Sequence, residues 1–246
     1  MKRLGPEFYD LFPERENEGA GTTRAKPWGR STMRKSLDAV RMTASAFGVY
    51  AGLLGMEHGY FETLQGNVAP EGLKILAVSP WELPFPFGHE PAMTVLPNLL
   101  VTGIVAMIVG LGIVLWSAAF VQSRHGGAGL FLLSILLLLC GGGFGPISLL
   151  IVACIAASRI GKPRTRARTD LPNGRMRLPE KLWPWSFAGA LLWVPAEFVA
   201  GQILHLKNDH RQILTNMNLM LSYPMLGLFV LTLVAGFARE IESRSE

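Results

Sequence analysis

Charged residues are scarce in this sequence of 246 residues. They make up 17% of the chain, whereas hydrophobic residues make up 50%. A soluble domain usually carries about 25% charge. The shortage of charge, with a mean hydropathy of +0.32, argues against a soluble enzyme or binding domain. It favours a protein that crosses a membrane several times.

Cysteine and the common catalytic motifs are also scarce or missing. The two cysteines, Cys140 and Cys154, lie inside one apolar run, which argues against a disulfide framework or a CxxC metal pair and favours packing roles. The sequence has no GxxxxGK[ST], HExxH or GxSxG, and no GxGxxG follows a predicted strand. Phosphate-binding loops, zinc proteases and nucleophile-elbow hydrolases are therefore disfavoured.

The net charge is +5, but it does not indicate a nucleic-acid partner. The basic residues cluster beside apolar segments, where the orientation of the chain in a membrane explains them. Residues 1–36 are polar and contain no apolar stretch of signal-peptide length. We predict a disordered, basic, cytoplasmic tail there.

The longest apolar run covers residues 129–158. A single helix of about 30 residues would be roughly 45 Å long, although about 20 residues cross the hydrocarbon core. Four glycines and a proline stand within residues 141–146, GGGFGP, and these residue types break helices. We predict two arms joined by a turn, as two short spans or as a re-entrant hairpin.

The distribution of basic residues predicts the same break. The segment before the first span is basic and should be cytoplasmic. Residues 57–91 contain a single Lys or Arg, Lys74, and should lie outside. Arg124 indicates that the short link after the second span is again cytoplasmic. The linker 159–181 has eight basic residues against two acidic ones. It can be cytoplasmic only if residues 129–158 cross the membrane an even number of times.

These signals together predict an all-α, polytopic integral membrane helical bundle in an inner or plasma membrane. It has four full spans plus a Gly/Pro-broken helical hairpin, about six transmembrane segments in all. The transmembrane domain covers residues 37–238, with the extracytoplasmic loop 57–91, the basic cytoplasmic linker 159–181 and a cytoplasmic tail 239–246. The spans are predicted at about 37–56, 95–121, 129–141, 146–158, 183–204 and 219–238.

Ionisable residues collect on the predicted outer side. Glu197 is the sharpest signal, because a carboxylate inside an apolar span is costly and is usually functional. We predict that Glu197, Gln65, Asn98 and Tyr223 bind a substrate or solute.

A candidate metal site is predicted on the same side. His58 and Glu62 lie four residues apart, on one helical face, and imidazole with carboxylate is a common ligand set for divalent metals. The predicted ligands are His58, Glu62, His89, Glu90 and His205, and a divalent metal is the candidate cofactor. The alternative interpretation is that these residues are solvated or capping groups at the membrane surface.

Three functions remain open from the sequence. The first is a small transport or solute-binding protein that holds a proton, cation or polar solute at the outer Glu/His cluster. The second is a membrane-embedded metal-dependent enzyme acting at the outer leaflet. The third is a structural or assembly subunit. The predicted partners are the lipid bilayer, anionic lipids near the basic linker, and a second copy or another subunit of a membrane complex.

Overall fold

The computed structural model describes the backbone of residues 30–76, 91–160, 177–207 and 211–243. Side chains are described in residues 39–76, 91–160, most of 181–199, and 224–240. Apart from Arg30, all of these residues belong to one compact unit, Ser31–Glu246. Residues 1–29 of the predicted tail, 77–90 of the outer loop and 161–176 of the basic linker lie outside the described residues.

Helices dominate the described chain, which confirms the predicted helical class. In chain order the elements are α1 Arg30–Leu64, β1 Lys74–Leu76, β2 Pro91–Met93, α2 Leu99–Ala119, α3 Gly126–Leu139, α4 Phe144–Ala157, α5 Arg177–Lys207 and α6 Arg211–Ser243. Within the described residues, α2 alone is long and apolar enough to cross a membrane, judged by length and composition. Helices α3 and α4 are apolar but shorter.

Helices α1 and α2 pack antiparallel through small residues. Ser45 donates a hydrogen bond from Oγ to the carbonyl of Ser117 at 2.8 Å. A Cβ added to Gly52 would lie only 2.7 Å from the carbonyl oxygen of Gly110. The contacts repeat every seven residues along both helices and join Ser45 to Ser117, Gly52 to Gly110, and Gly59 to Gly103. Small side chains let the two backbones approach closely, as in membrane helix pairs.

Helices α3 and α4 form a hairpin with its turn at residues 140–143, which we call the glycine turn. Gly141 and Gly143 have φ values of +88° and +74°, a region that L side chains rarely adopt. Ser134 of α3 lies 3.7 Å from the sulfur of Cys154 in α4. Pro146 falls in the first turn of α4, where its missing N–H removes no helical bond. The glycines therefore break the helix, and the proline helps to start the next one.

The connection between α1 and α2 contains a small antiparallel sheet that the sequence did not predict. Lys74 pairs with Met93, and Leu76 pairs with Pro91. The chain then continues along the glycine turn, where Thr94 forms an antiparallel bridge with Cys140. This bridge places the glycine turn at the same end of the bundle as the α1–α2 connection.

Helices α5 and α6 pack against α1 through aromatic residues. The indole N–H of Trp183 donates to the hydroxyl of Thr43 at 3.1 Å. Further along, the Phe47 ring lies 6.1 Å from that of Phe187 and 5.4 Å from that of Phe229. The two contacts with α5 make it parallel to α1. A Cβ added to Gly236 would lie 3.8 Å from Thr43 Oγ1, so α6 runs antiparallel to α1.

The surface of α2 is far more apolar than that of a soluble helix, and some hydroxyl groups are buried. On the outward face of α2 the exposed side chains are Val101, Ile104, Ile108, Leu111 and Leu115, with Ile108 64% exposed. Several buried side chains are hydroxyls that bond to the helix carbonyl four residues earlier, a common solution inside helices. Examples are Thr43 to Ala39, Ser134 to Leu130, and Thr232 to Leu228.

Candidate functional site

Helix α1 extends beyond the predicted span 37–56 and carries two ionisable side chains into the protein. It ends at Leu64 and is followed by Gly66 with φ +87°, the left-handed conformation that commonly terminates a helix. His58 is 5% exposed and Glu62 is 0% exposed. Their spacing of four residues places both on one face of α1.

Both side chains lie against the glycine turn. A Cβ added to Gly141 would collide with both carboxylate oxygens of Glu62. A Cβ added to Gly143 would lie 2.5 Å from Nε2 of His58. The two positive-φ glycines therefore also supply the space that the imidazole and the carboxyl group occupy.

The Glu62 carboxyl group has an unusual environment. Neither oxygen has a hydrogen-bond partner among the described residues. Burial raises the pKa of Glu62 from 4.5 to about 8, because the ionised form loses its hydration. Near neutral pH the group is therefore mostly protonated. A buried carboxyl group with a shifted pKa is a recognised mark of a functional site.

A pair of threonines lies where the chain enters α2 from the bridge. The hydroxyl groups of Thr94 and Thr102 are 2.9 Å apart, and the amide of Leu96 donates to Thr94 Oγ1 at 3.1 Å. Both threonines are buried. Their hydrogen bonds hold residues 94–96, which lie beside the glycine turn, against the start of α2. Sequence reasoning missed them, because isolated threonines near a helix start are common in any protein.

Two predicted substrate-binding residues support the fold at this end of the bundle. Gln65 donates from Nε2 to the carbonyl of Leu76 at 3.1 Å. Asn98 caps α2 by accepting from the amide of Val101 at 3.1 Å, and its side-chain amide donates to Asn67. The structure therefore gives both side chains roles in holding the α1–α2 connection.

The side chains of the remaining predicted site residues lie outside the described part of the structure. His89 and Glu90 lie outside the described residues. Glu197, His205 and Tyr223 lie in α5 and α6, but their side chains are not described. In the described part of the chain, no three His, Cys, Asp or Glu side chains are grouped to hold a metal ion. The predicted metal site depends on these undescribed side chains and stays a prediction.

The glycine turn is the part of the site that sequence reasoning did not assign. The sequence marked Gly141 and Gly143 as helix breakers only. The available signal was the spacing of the two glycines, two residues apart. In the structure they face two bulky polar side chains, His58 and Glu62, that lie four residues apart on α1. That signal becomes specific only when the helix that faces the turn is known.

Comparison of the chain with protein families, with curated protein sequences and with solved structures finds no match.

Proposed function

We propose that the chain is a multi-spanning membrane protein. The exposed faces of its helices support this, because they carry large apolar side chains such as Ile108, Leu132 and Leu192, which are 64–66% exposed. Helices α1, α5 and α6 have 35, 31 and 33 residues, and about 20 residues cross a bilayer. The α3–α4 arms of 14 residues each would reach only about 21 Å, so the hairpin inserts without spanning fully.

The orientation that we propose places the glycine turn outside and both termini inside. At the opposite end of the bundle, the guanidinium of Arg159 lies 5.9 Å from the Phe237 ring, and that of Arg239 lies 5.0 Å from the Trp183 ring. Basic residues thus collect at the end where α1 begins, as the positive-inside rule expects of a cytoplasmic end.

Within this topology we propose that Glu62, with His58 beside it, binds and passes a proton or a small cation. The observation that carries the proposal is the fully buried Glu62 carboxyl group with no hydrogen-bond partner among the described residues. A structural carboxyl group would be paired, because an unsatisfied buried polar group is destabilising. Retaining it is consistent with a group whose partner is an exchangeable ion.

Glu197 fits the same proposal through the helix register. Thr43 contacts Trp183 and Phe47 stacks on Phe187, so α1 and α5 run in parallel with a constant offset in residue number. Continuing that offset brings the backbone at position 197 level with position 57, near the site. Glu197 is therefore proposed as a second ion-binding group.

The subunit hypothesis has less support. It requires small residues on an exposed face, but Gly52, Gly59, Gly103 and Gly110 lie inside the α1–α2 contact. The enzyme hypothesis requires a third ligand from the undescribed side chains.

Ion flux into proteoliposomes tests the proposed function. A pH-sensitive dye inside the vesicles reports proton entry under an imposed potential, and a sodium-sensitive dye at constant pH reports cation entry. We expect the Glu62→Gln variant to reduce the flux at least tenfold. The exposed carboxylate variant Glu71→Gln is the matched control and should behave like the wild type. Equal flux in the wild type and in Glu62→Gln, or no flux above empty vesicles, would contradict the proposal.

A further inference from the structure

Glu62 is enclosed on the sides that the structure describes. Towards α2, a Cβ on Gly59 would lie 2.6 Å from the carbonyl oxygen of Gly103, so the two backbones are in contact. Towards the bundle interior, Leu137 packs on Gly55, where an added Cβ would lie 2.8 Å from its side chain. Towards α3 and α4, the carboxyl group rests on Gly141. Each of these three contacts is close-packed in the described residues.

The outer side is closed by a short contact that we call the junction, formed by residues 93–95 and 139–141. The amide of Gly141 donates to the carbonyl of Met93 at 2.8 Å, and the amide of Val95 donates to the carbonyl of Leu139 at 3.0 Å. Beyond it, the Val95 side chain is 56% exposed. Among the described residues, the junction therefore holds the glycine turn, on which the Glu62 carboxyl group rests, to the α1–α2 connection.

The junction is a shorter contact than the α1–α2 packing. The α1–α2 contact continues over three pairs of small residues, whereas the junction consists of one bridged pair and two backbone hydrogen bonds. Thr94 is held from its other side by the carbonyl of Leu73 and by the hydroxyl of Thr102. Local opening occurs first where few buried contacts and few hydrogen bonds must be lost. Separating residues 93–95 from the glycine turn requires no movement of a helix.

We propose that the junction is the outer gate of the Glu62 site, and that a proton or small cation reaches the carboxyl group when residues 93–95 lift from the glycine turn. The identity of the ion rests on the proposed function, whereas the gate itself rests on the geometry of the junction. Lifting breaks the hydrogen bond from Gly141 to Met93 and frees the glycine turn to move away from the carboxyl group that rests on it.

A reversible disulfide across the junction tests the gate. Thr94 and Cys140 are opposed in a pair that shares no hydrogen bond. Such pairs have Cα atoms about 4.5 Å apart, within the range of about 4.4–6.8 Å that disulfides need. The variant Thr94→Cys in a Cys154→Ala background can therefore be locked by oxidation and released by a reductant.

Chemical modification of Glu62 reads out access without any transport assay. A water-soluble carbodiimide adds to the protonated carboxyl group to give an O-acylisourea, and a small hydrophilic amine then displaces the urea to leave an amide. Mass spectrometry of the Glu62 peptide measures the rate. We expect modification to be at least tenfold slower in the oxidised form than in the reduced form. The oxidised and reduced forms carry the same substitution, so the loss of the Thr94 hydroxyl affects both rates equally and does not contribute to their ratio.

The matched control is Val95→Cys in the Cys154→Ala background. Its side chain is the exposed neighbour of Thr94 and points to the other face of the segment, so oxidation should leave the rate of Glu62 modification unchanged. Equal rates in the oxidised and reduced Thr94→Cys forms would overturn the gate, as would a reduced form in which Glu62 is never modified. Neither result would alter the flux comparison between the wild type and Glu62→Gln, so the two proposals fail separately.

Hydrogen exchange gives a second measurement that needs no variant. The amides of Gly141 and Val95 should exchange at least tenfold faster than those in the middle of α2, such as that of Ala106, because the junction opens without the helix. Protection of both junction amides equal to that of Ala106 would contradict the gate.

Discussion

At the scale of single residues, Glu62 and the two glycines that face it form the most constrained part of the protein. Gly141 and Gly143 satisfy two requirements at once, a positive φ and room for a polar side chain. Gly66 satisfies only the first, because an added Cβ there would meet nothing within 4 Å. Substitution at Gly66 therefore measures backbone conformation alone, whereas substitution at the other two positions adds packing.

Gly143→Ala should destabilise the protein more than Gly66→Ala. The left-handed conformation alone costs roughly 1–2 kcal/mol for alanine, which is the expected loss for Gly66→Ala. At Gly143, φ is +74° and ψ is 153°, a region that is essentially restricted to glycine and strains alanine further. The new methyl group also collides with His58, and such overpacking adds roughly 1–3 kcal/mol. Unfolding by denaturant titration in detergent micelles, followed by circular dichroism, measures both losses. Equal losses for the two variants would show that His58 does not occupy the space over Gly143.

The stability of the protein should fall as the pH rises, and Glu62 should be the cause. Its pKa in the folded protein, about 8, lies above the ordinary value of 4.5, so the folded form holds the proton more tightly than the unfolded form. This stabilisation is fully present below pH 4.5 and is lost as the pH rises to about 8. The free energy of unfolding should therefore decline across that window.

The matched variant for this prediction is Glu62→Gln, in which the decline should become much smaller. Denaturant titrations at several pH values measure the slope, and Glu71→Gln provides an exposed carboxyl control. An unchanged slope in Glu62→Gln would assign the pH dependence to another group.

At the scale of elements, the α1–α2 pair is held by backbone proximity, whereas α5 and α6 are held to α1 by aromatic rings. In α2, Gly110 faces α1, where a Cβ would lie 2.7 Å from the carbonyl oxygen of Gly52. Gly112 is only two residues further along, and a Cβ there would meet its nearest neighbour, Leu133, at 3.9 Å. Helix α2 thus contains one glycine with no room for a methyl group, Gly110, and one with room for it, Gly112.

Gly110→Ala should therefore destabilise the protein by roughly 1–3 kcal/mol, because the helices must separate to admit the methyl group. Gly112→Ala should be neutral or stabilising by up to about 1 kcal/mol, since alanine is the better helix former. Thermal unfolding of both purified variants in the same detergent provides the comparison. A larger loss from Gly112→Ala than from Gly110→Ala would refute the α1–α2 register described above.

At the scale of the whole molecule, the direction of the α3–α4 hairpin decides which end each later segment occupies. The bridge between Thr94 and Cys140 places the turn beside the α1–α2 connection. An added Cβ on Gly127, near the start of α3, would lie 3.1 Å from the amide nitrogen of Ser158, just after α4. The two ends of the hairpin therefore meet at the opposite end of the bundle.

Labelling of single cysteines with a membrane-impermeant maleimide tests this arrangement in sealed vesicles. In a background of Cys140→Ala and Cys154→Ala, the exposed positions Gly72, Ser123 and Ser158 can each carry the only cysteine. We expect Gly72→Cys to react from the outside, and Ser123→Cys and Ser158→Cys to react from the inside. Reaction of Ser158→Cys from the same side as Gly72→Cys would mean that residues 129–158 cross the membrane once.

Part of the site could be predicted from the sequence because it depends on local preferences of the backbone. The glycines of residues 141–146 predicted the break between α3 and α4, and the spacing of His58 and Glu62 predicted a shared face. The same local reasoning ranked Glu197 above Glu62, because Glu197 is surrounded by apolar residues in the sequence. Glu62 has Glu57, Thr63 and Gln65 around it, so its segment looks like a solvated helix end.

The sequence by itself determined the helical class, the apolar character of the helices and the position of the helix break, because each of these follows from neighbouring residues. Only the tertiary structure decided that Glu62 is fully buried and that Asn98 is used as a helix cap. Burial of a carboxyl group depends on what covers it. Here part of the cover comes from Gly141 of the glycine turn, which lies far from Glu62 in the chain and meets it only in the folded protein. Residues 93–95 in turn hold the glycine turn in place.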